Sequence, residues 1–382
     1  MLFTAVVVGV FGTIAILYAR GFRIKLDEES VSFGPTGILV ANSEPTGAQV
    51  FIDEEIKTAT NNSISLPPKT YRVLVKKEGF LPWEKLITIQ KETVTQIDAF
   101  LVSSAPSLTA LTFSGVINPV ASEDFSKIAY VIPKSTDYIE KAGLWVMEAV
   151  NLPLGFNRDP RRITDGDLTD ANYEFSPDGR EILLTNLNSV YLLEVGKFTP
   201  QSPISNSMVK PEKVKEEWKK IRQTRLKAKI AALPDEIEDI FIGYTRDVFF
   251  SPDENRILYT AAGTATIPEG IARQLPGSST QKEERQVTSG RKYVYDIRED
   301  KNFKVGNEGE ILYWLPNSLN LVIPEENKIA IIDYDGTNRK TVFSGSYIYP
   351  VAYPSTSTGR LLILTNFGSS DSLTNLYWLS LK

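Results

Sequence analysis

The feature that most constrains this chain is an eleven-residue phrase that occurs twice. FSPDGREILLT begins at Phe175, and FSPDENRILYT begins at Phe250. In the first copy, Pro sets the backbone for the opening of a tight turn, and Asp-Gly supplies the left-handed position that closes it. The next residues, rich in Ile and Leu, start a new strand. A strand, turn and strand unit that recurs in one chain is typical of a fold built from repeated small sheets.

Looser copies of this unit follow one another from residue 106 to the end of the chain. The first contains INPVASEDFSKIAYVIP, the fourth contains GEILYWLPNSLNLVIPEENKIAIIDYDGT, and the last contains YPVAYPSTSTGRLLILTN and NLYWLSLK. With the two copies of the phrase, this makes five units of three or four short strands. Repeated sheets of this size predict a β-propeller. We expect five blades, or six if the region after Ser202 holds a degenerate unit.

The last unit ends on its third strand and lacks a fourth. A spare strand, SLTALTF, precedes the first unit. If it completes the last blade, the ring closes and no sheet edge is left exposed. The repeated phrase resembles the turn of TolB-like propellers, an aromatic residue followed by Ser-Pro-Asp-Gly. Only Phe175–Gly179 matches it in full. We therefore interpret Asp178 and Asp253 as turn residues rather than as catalytic residues.

A smaller β-rich segment, residues 37–101, precedes the repeats. Its apolar residues alternate in stretches such as AQVFID and TYRVLVKK, separated by turns such as EPTGA and KEGF. This pattern predicts an antiparallel sandwich of about five to seven short strands. We expect Phe80 and Trp83 to close the bottom of its core, although they could instead form an exposed recognition pair.

Pro45, Thr46, Gly47 and Ala48 give this segment its resemblance to the PEGA domain family, with Thr in place of Glu. LPPKTYRVLVKKEGF also fits the family pattern, whereas DEEIKTAT departs from the usual Asp-Gly turn and indicates a changed hairpin. The resemblance implies a non-catalytic module that is common in bacterial surface and envelope proteins.

The N-terminal stretch LFTAVVVGVFGTIAILYA, residues 2–19, carries no charge. It is long enough to cross a hydrocarbon core of roughly 30 Å, and no clear signal-peptide cleavage site follows it. We therefore predict an uncleaved, single-pass transmembrane helix, with a buried core helix as the alternative.

The orientation of that helix is ambiguous. Arg20, Arg23 and Lys25 follow it and no basic residue precedes it, so the positive-inside rule alone puts the bulk of the chain in the cytoplasm. The PEGA and TolB resemblances favour the opposite side. We expect the bulk of the chain outside the cytoplasmic membrane.

The predicted fold is therefore mainly β. It has an anchor and basic flank at 1–25, a PEGA-like sandwich at 36–103, and a TolB-like propeller at 106–382. Two insertions interrupt the propeller: a helical one at 209–240 and a long blade loop at 264–292.

The helical insertion combines an apolar stripe with a strongly basic opposite side. Val214, Trp218 and Ile221 start the stripe, and Leu226, Ile230 and Leu233 continue it. The helix either docks a partner or a membrane surface, or lies against the propeller with a solvated outer face. The candidate binding residues of the two insertions are Trp218, Lys219, Arg222, Arg225, Arg273, Lys282 and Arg285.

Composition narrows the chemistry. The chain has no Cys and no His, which excludes thiol nucleophiles, disulfides, zinc thiolate sites and the commonest general base. Its formal net charge of −5 argues against a generally basic surface for nucleic acid. The sequence DYDGT at Asp333 resembles the start of a calcium loop, but no Glu follows at the required distance. We predict no catalytic residues, no metal and no cofactor.

These observations predict a membrane-anchored, non-catalytic envelope protein of bacterial type. Its expected partners are the lipid bilayer, through the N-terminal helix, and an envelope protein, wall polymer or surface polysaccharide. Two alternatives remain: a propeller enzyme that acts on glycans through paired carboxylates, and a cytoplasm-facing adaptor tethered to the membrane.

Overall fold

The structure is a computed structural model, and it describes residues 2–19, 22–27, 30–135, 139–149, 159–187, 189–201, 209–271, 279–366 and 373–382. These residues form two compact units. Unit 1 contains residues 1–104, 269–284 and 296–301, and unit 2 contains residues 105–268, 285–295 and 302–382.

Unit 1 begins with helix α1 (Leu2–Ala19) and a hairpin of β1 (Phe22–Asp27) and β2 (Ser30–Pro35). Large apolar side chains on α1 are exposed, among them Phe3 at 82% and Phe11 at 68%. Within the part of the chain that the structure describes, no helix qualifies by length and hydropathy as a membrane span.

Seven strands follow as a two-sheet sandwich. One sheet has four strands in the order β5-β4-β7-β8, and the other has three in the order β6-β3-β9. The strands are β3 (Gly37–Glu44), β4 (Gln49–Ile52), β5 (Glu55–Ala59), β6 (Asn62–Leu66), β7 (Thr70–Lys76), β8 (Trp83–Thr88) and β9 (Val94–Phe100). The prediction of a wholly antiparallel sandwich was wrong in one pair, because β9 runs parallel to β3. The connection from β3 to β9 passes through the whole opposite sheet, which lets the chain return in the same direction.

The PEGA motif residues stabilise the corner between β3 and β4. Gly47 has a φ of +74°, a left-handed conformation that favours Gly. Ala48 is fully buried, and its amide donates to Thr60 Oγ1 at 2.9 Å. Trp83 is also buried, with Phe80 packed against the same core, so the structural interpretation of this pair is confirmed.

The described residues of unit 2 form five consecutive sheets of three or four strands, here called sheets 1 to 5. Sheet 1 has β11 (Ile117–Ala121), β12 (Lys127–Ile132), β13 (Gly143–Glu148) and β14 (Arg161–Asp165); sheet 2 has β15 (Asn172–Phe175), β16 (Glu181–Asn186) and β17 (Ser189–Glu194). Sheet 3 has β18 (Thr245–Phe250), β19 (Arg256–Ala261), β22 (Arg291–Asp296) and β23 (Lys301–Asn307), with a hairpin of β20 (Ala265–Thr266) and β21 (Gln286–Val287) between β19 and β22. Sheet 4 has β24 (Tyr313–Trp314), β25 (Asn320–Glu325), β26 (Lys328–Asp333) and β27 (Lys340–Ser344).

Sheet 5 has β28 (Ala352–Pro354), β29 (Arg360–Thr365) and β30 (Asn375–Ser380), and its fourth strand comes from the start of the unit. This strand is β10 (Leu108–Ala110), in which Leu108 pairs with Leu379 and Ala110 pairs with Tyr377. The predicted closure by the SLTALTF segment is therefore confirmed.

The turn between the first two strands is closed by the same backbone hydrogen bond in all five sheets. In each, one backbone amide donates to the carbonyl five residues later, at 2.8–3.2 Å; the pairs are Ser122–Lys127, Ser176–Glu181, Ser251–Arg256, Leu315–Asn320 and Ser355–Arg360. In sheets 1 to 4 the residue three positions after the start of this turn has a positive φ: Phe125, Gly179, Glu254 and Ser318. The repeat therefore persists in turns whose sequence no longer contains Ser-Pro-Asp-Gly.

Aromatic rings from non-consecutive sheets meet inside unit 2. Phe125 of sheet 1 lies 5.4 Å from Tyr313 of sheet 4 and 6.1 Å from Tyr353 of sheet 5, measured between ring centroids. Tyr353 also donates from its hydroxyl to the carbonyl of Pro119 at 3.0 Å. Because sheet 1 touches both of the last two sheets, the first strands of the sheets converge, which is the arrangement of a β-propeller.

The insertion between sheets 2 and 3 forms two helices, α2 (Pro211–Ile230) and α3 (Asp235–Tyr244). The sequence predicts a helical insertion at 209–240, and the structure divides this region into two helices, of which α3 continues to Tyr244. Acidic residues fill the first turn of α3, where the helix dipole favours negative charge, and Ile237, Ile240 and Phe241 are buried. A 3-10 helix (Ile139–Lys141) lies between β12 and β13.

Candidate binding surface

The turns of unit 2 provide the base on which a candidate surface is built. In sheet 2, Ser176 Oγ donates to Asp178 Oδ1 at 2.6 Å and accepts from the amide of Glu181 at 2.9 Å. Asp178 also accepts from the amide of Arg180 at 3.1 Å. The side chains of Ser and Asp thus satisfy backbone groups that the tight turn leaves without ladder partners.

Sheet 3 repeats this arrangement with Ser251 and Asp253, whose Oγ–Oδ1 distance is also 2.6 Å. The hydrogen bond from Ser176 holds the pKa of Asp178 below its ordinary value. At Asp253, burial raises the pKa, but hydrogen bonds from Ser251 and Asn255 outweigh burial and leave it lowered. Both carboxylates are therefore ionised turn residues, as the sequence analysis interpreted them, rather than proton donors poised for catalysis.

Helix α2 has the local signals of a stable helix. Pro211 occupies its first turn, Glu212 lies near its positive end, and Lys227 and Lys229 lie in its last turn. Its buried side is narrow, since only Trp218 and Ile230 are fully buried among its residues. Most of its length therefore contacts the rest of unit 2 through polar groups.

These polar contacts run across three consecutive sheets. Arg222 pairs with Glu123 in the turn of sheet 1 and donates from Nη2 to the carbonyl of Phe175 at 3.1 Å. Arg225 donates from Nη1 to the carbonyl of Pro177, in the turn of sheet 2, at 2.8 Å.

In sheet 3, Lys229 Nζ lies 2.7 Å from Glu254 Oε1 and 5.2 Å from the ring centroid of Phe250. A further pair joins Lys215 to Glu174 at 3.6 Å. Helix α2 therefore bridges the turns of sheets 1, 2 and 3.

The outward side of α2 is also basic. The eleven residues from Lys219 to Lys229 include six basic residues and no acidic one. Arg222, Arg225 and Lys229 contact the turns, whereas Lys219, Lys220 and Lys227 are exposed and have no partner among the residues that the structure describes. We call these three residues the lysine stripe.

The structure separates the predicted binding residues into several environments. Trp218 is 5% exposed, so it stabilises the docked helix and is not available at the surface. Arg222 and Arg225 contact the turns, whereas the side chain of Lys219 is exposed and has no partner in the described part of the chain. The predicted stripe position Ile221 is 37% exposed, because Arg222, one full turn after Trp218, takes the inward position instead.

The loop residues do not join this surface as one set. Lys282 is exposed and belongs to unit 1, whereas Arg285 belongs to unit 2 and donates to the carbonyl of Pro268. Arg273 lies outside the described residues.

Sequence reasoning missed the acidic partners of the helix, Glu123, Glu174 and Glu254. One signal was present at Glu254, because it replaces the Gly of the first copy at a left-handed position where Glu is costly. A costly residue in a repeated turn is a reason to look for a contact that compensates it.

A cleft of about 620 Å³ lies beside the turn of sheet 2, lined by strands and turns of sheets 1 and 2. Its charged lining residues are Lys127, Glu148, Asp159, Arg161, Asp178, Arg180, Glu181 and Glu194. Glu181 and Glu194 are cross-strand partners, and Lys127 stands opposite Glu148. The mixture of charges and the lowered pKa of Asp178 give no positive sign of a general acid in this cleft.

The segment that resembles a calcium loop forms a hydrogen-bonded network instead. Asp333 Oδ1 accepts from Asn320 Nδ2 at 2.7 Å, and Asp333 Oδ2 accepts from Asn338 Nδ2 at 3.1 Å. Both carboxylate oxygens are thereby engaged by side-chain amides. Among the described residues, no group of three or more acidic side chains is placed to hold a metal ion.

Comparison with known proteins bears on both units. Residues 36–104 match the PEGA domain family, which confirms the resemblance read from Pro45–Ala48 and its neighbours. No curated protein sequence is significantly similar to the chain.

The solved structures similar to this chain include TolB proteins. A putative TolB from Agrobacterium tumefaciens has 13% sequence identity and a TM-score of 0.22, with 76% of each chain covered. TolB from Acinetobacter baumannii has 14% identity and a TM-score of 0.21, over 87% of this chain and 64% of that one. An acylaminoacyl peptidase from Pyrococcus horikoshii has 13% identity and a TM-score of 0.21, over 70% of this chain and 39% of that one.

Since all these TM-scores are low, the propeller is assigned from the sheets of this chain and no function is transferred. The chain thus combines a segment, residues 36–104, that matches the PEGA domain family with a β-propeller that is assigned from its own sheets.

Proposed function

We propose that this chain is a non-catalytic, membrane-anchored envelope protein whose propeller serves as a binding module. The observation that carries the proposal is the docking of α2. The arginines of α2 and Lys229 contact three turns of the propeller. Lys219, Lys220 and Lys227 are exposed and have no partners among the described residues. Charged groups that are held on a rigidly docked helix are positioned to bind a ligand of opposite charge.

The propeller of the proposal is a closed ring of five blades. Five sheets, five copies of the same backbone hydrogen bond and the pairing of β10 with β30 support this count. The described part of the region after Ser202, where a sixth unit was considered, consists of α2 and α3.

The anchor of the proposal is α1. Its sequence is uncharged over 18 residues, and its exposed Phe and Val side chains would be costly in water. Outside the membrane, the PEGA domain and the propeller would face the envelope. The basic residues Arg20, Arg23 and Lys25 support the opposite orientation, and with it a cytoplasm-facing adaptor.

A topology assay tests this proposal. Alkaline phosphatase, which is active only outside the cytoplasm, and a fluorescent protein that is bright mainly inside are fused separately after Lys382 in a bacterial host. We expect phosphatase activity in the membrane fraction and little fluorescence. Fluorescence without phosphatase activity would support the adaptor. Recovery of both fusions in the soluble fraction would reject the anchor.

A further inference from the structure

The distribution of charge on α2 differs from that of a helix that is merely solvated. Exposed helices usually alternate acidic and basic residues, so that neighbours one turn apart attract. In α2 the three acidic residues, Glu212, Glu216 and Glu217, all precede Trp218, and the rest of the helix is basic or neutral. Glu216 and Glu217 lie one turn before Lys219 and Lys220 but form no ion pair with them among the described residues, and beyond Trp218 no acidic residue of the helix opposes Lys227.

The lysine stripe extends along the helix axis. Lys220 and Lys227 are seven residues apart, which places them on the same side of the helix and roughly 10 Å apart. The backbone amides between them are used within the helix, so no cluster of amides is available to surround one compact anion. A ligand with several anionic groups along its length would engage all three lysines and gain affinity from each.

We propose that the lysine stripe binds a linear polymer that carries phosphate groups. Lysine is a compact point charge that binds phosphate without a fixed fork geometry, whereas the arginines of this helix are directed to a carboxylate and to carbonyl groups of the turns. The inference deepens the proposed function, and it depends on the propeller being a binding module.

The structure favours such a polymer over an anionic bilayer. A helix that lies in a membrane interface presents its apolar side to the acyl chains. The apolar residues Trp218 and Ile230 of α2 are buried against the rest of unit 2, Val214 and Leu226 are partly buried, and Ile221 is 37% exposed. The largest apolar side chain of α2 is therefore turned into unit 2 and is not available to acyl chains.

The test measures binding of long-chain polyphosphate to the full chain, held in nanodiscs of neutral phosphatidylcholine. The test variant is Lys220→Glu with Lys227→Glu. The control variant, Lys91→Glu with Lys197→Glu, makes the same change of net charge at two exposed lysines elsewhere. Glu and Lys have similar helix propensities, so α2 should remain folded, and circular dichroism checks this.

We expect the test variant to raise the Kd for polyphosphate about tenfold or more and to lower the salt dependence of binding by roughly one unit of slope per lysine. The control variant should leave both unchanged. Equal losses in the two variants, or no loss in either, would overturn the proposal. So would competition by pyrophosphate that equals that of the polymer at the same phosphate concentration.

A separate arm adds vesicles of phosphatidylcholine with anionic phosphatidylglycerol. If these bind the chain through Lys220 and Lys227 while polyphosphate does not, the polymer is rejected in favour of lipid. The topology assay does not involve either lysine, so failure of the lysine stripe and failure of the proposed function remain distinguishable.

Discussion

The turn at Ser176 and the turn at Ser251 have the same internal hydrogen bonds but meet helix α2 in different ways. At the first, Arg225 reaches the main-chain carbonyl of Pro177. At the second, Lys229 reaches the side chain of Glu254, which stands where the first turn has Gly179. A contact to a main-chain carbonyl does not constrain the type of residue that supplies it, whereas a contact to a side chain requires that particular residue. The two copies therefore diverge at the position where the second contributes a side chain to the helix.

The largest effect is expected from removing Trp218, the buried side chain that holds α2 against both turns. Trp218→Ala deletes the main buried side chain of α2, and it should weaken helix docking by about 3 kcal/mol. Limited digestion with trypsin detects this, because an undocked α2 unfolds locally and its backbone then becomes cleavable after its lysines and arginines. Ile221→Ala, on the same helix but partly exposed, should leave the digestion rate nearly unchanged. Equal protection in Trp218→Ala and the wild type would contradict the docking.

The second prediction tests whether the serine hydrogen bonds within the two turns contribute equally to stability. Ser176→Ala and Ser251→Ala each remove the acceptor of a part-buried backbone amide and the hydroxyl that donates to an Asp. Each should lower the free energy of unfolding of the propeller by about 2 kcal/mol. Urea unfolding measures this loss. Ser63→Ala, at an exposed position in the sandwich, serves as control. A loss at only one turn would break the equivalence.

A third test exchanges the residues that distinguish the turns. Gly179 has a φ of +65° and Glu254 a φ of +59°, so Gly179→Glu should destabilise the propeller by about 1 kcal/mol. Glu254→Gly relieves the same strain but loses the pair with Lys229, and the net change should be smaller than 1 kcal/mol, as is usual for exposed pairs.

The exchange is sharpened by repeating Glu254→Gly in a Lys229→Ala background. In this background the ion pair is already absent, so Glu254→Gly should raise the free energy of unfolding by the full amount of the relieved backbone strain, as measured by urea unfolding. If Glu254→Gly gives the same change with and without Lys229, the pair contributes nothing measurable to the second turn.

The smallest effect is the pH dependence of the two turns. Asp178 and Asp253 have pKa values below the ordinary value of an Asp in the folded chain. The stability that the ionised carboxylates contribute is therefore present above the ordinary Asp pKa of about 4, and it is lost as the pH falls through the folded pKa values. Asp178→Asn and Asp253→Asn should each lower the free energy of unfolding relative to the wild type. This loss, measured by urea unfolding, should be smaller at pH 3 than at pH 6. A difference that stays constant over this range would mean that neither carboxylate is stabilised in its turn.

Much of the fold could be predicted because its signals are local. The strand pattern, the Pro and Gly turns and the spare strand before the first unit identified the sandwich, the repeats and the closure between β10 and β30. The parallel pairing of β3 with β9 was missed, because an alternating pattern reveals which face of a strand is buried but not its direction relative to a distant strand.

The candidate surface was predictable only in part. The basic helix was visible in the sequence, and so was the burial of Trp218 as one of two interpretations. The roles of Arg222 and Arg225 were not, because a charge that pairs with a neighbouring turn and a charge that faces solvent have the same local sequence signature. Separating the two required knowing which residues lie under the helix.

The sequence by itself determined that the chain contains repeated small sheets, that the Ser-Pro-Asp residues form turns, and that the chain has neither thiol nor imidazole for catalysis. These are properties of composition and of neighbours within a few residues. Only the tertiary structure decided which charges of α2 remain available for a ligand. Availability depends on groups such as Glu123 and Glu254, which are far from each other in sequence and are brought under one helix by the convergence of the sheets.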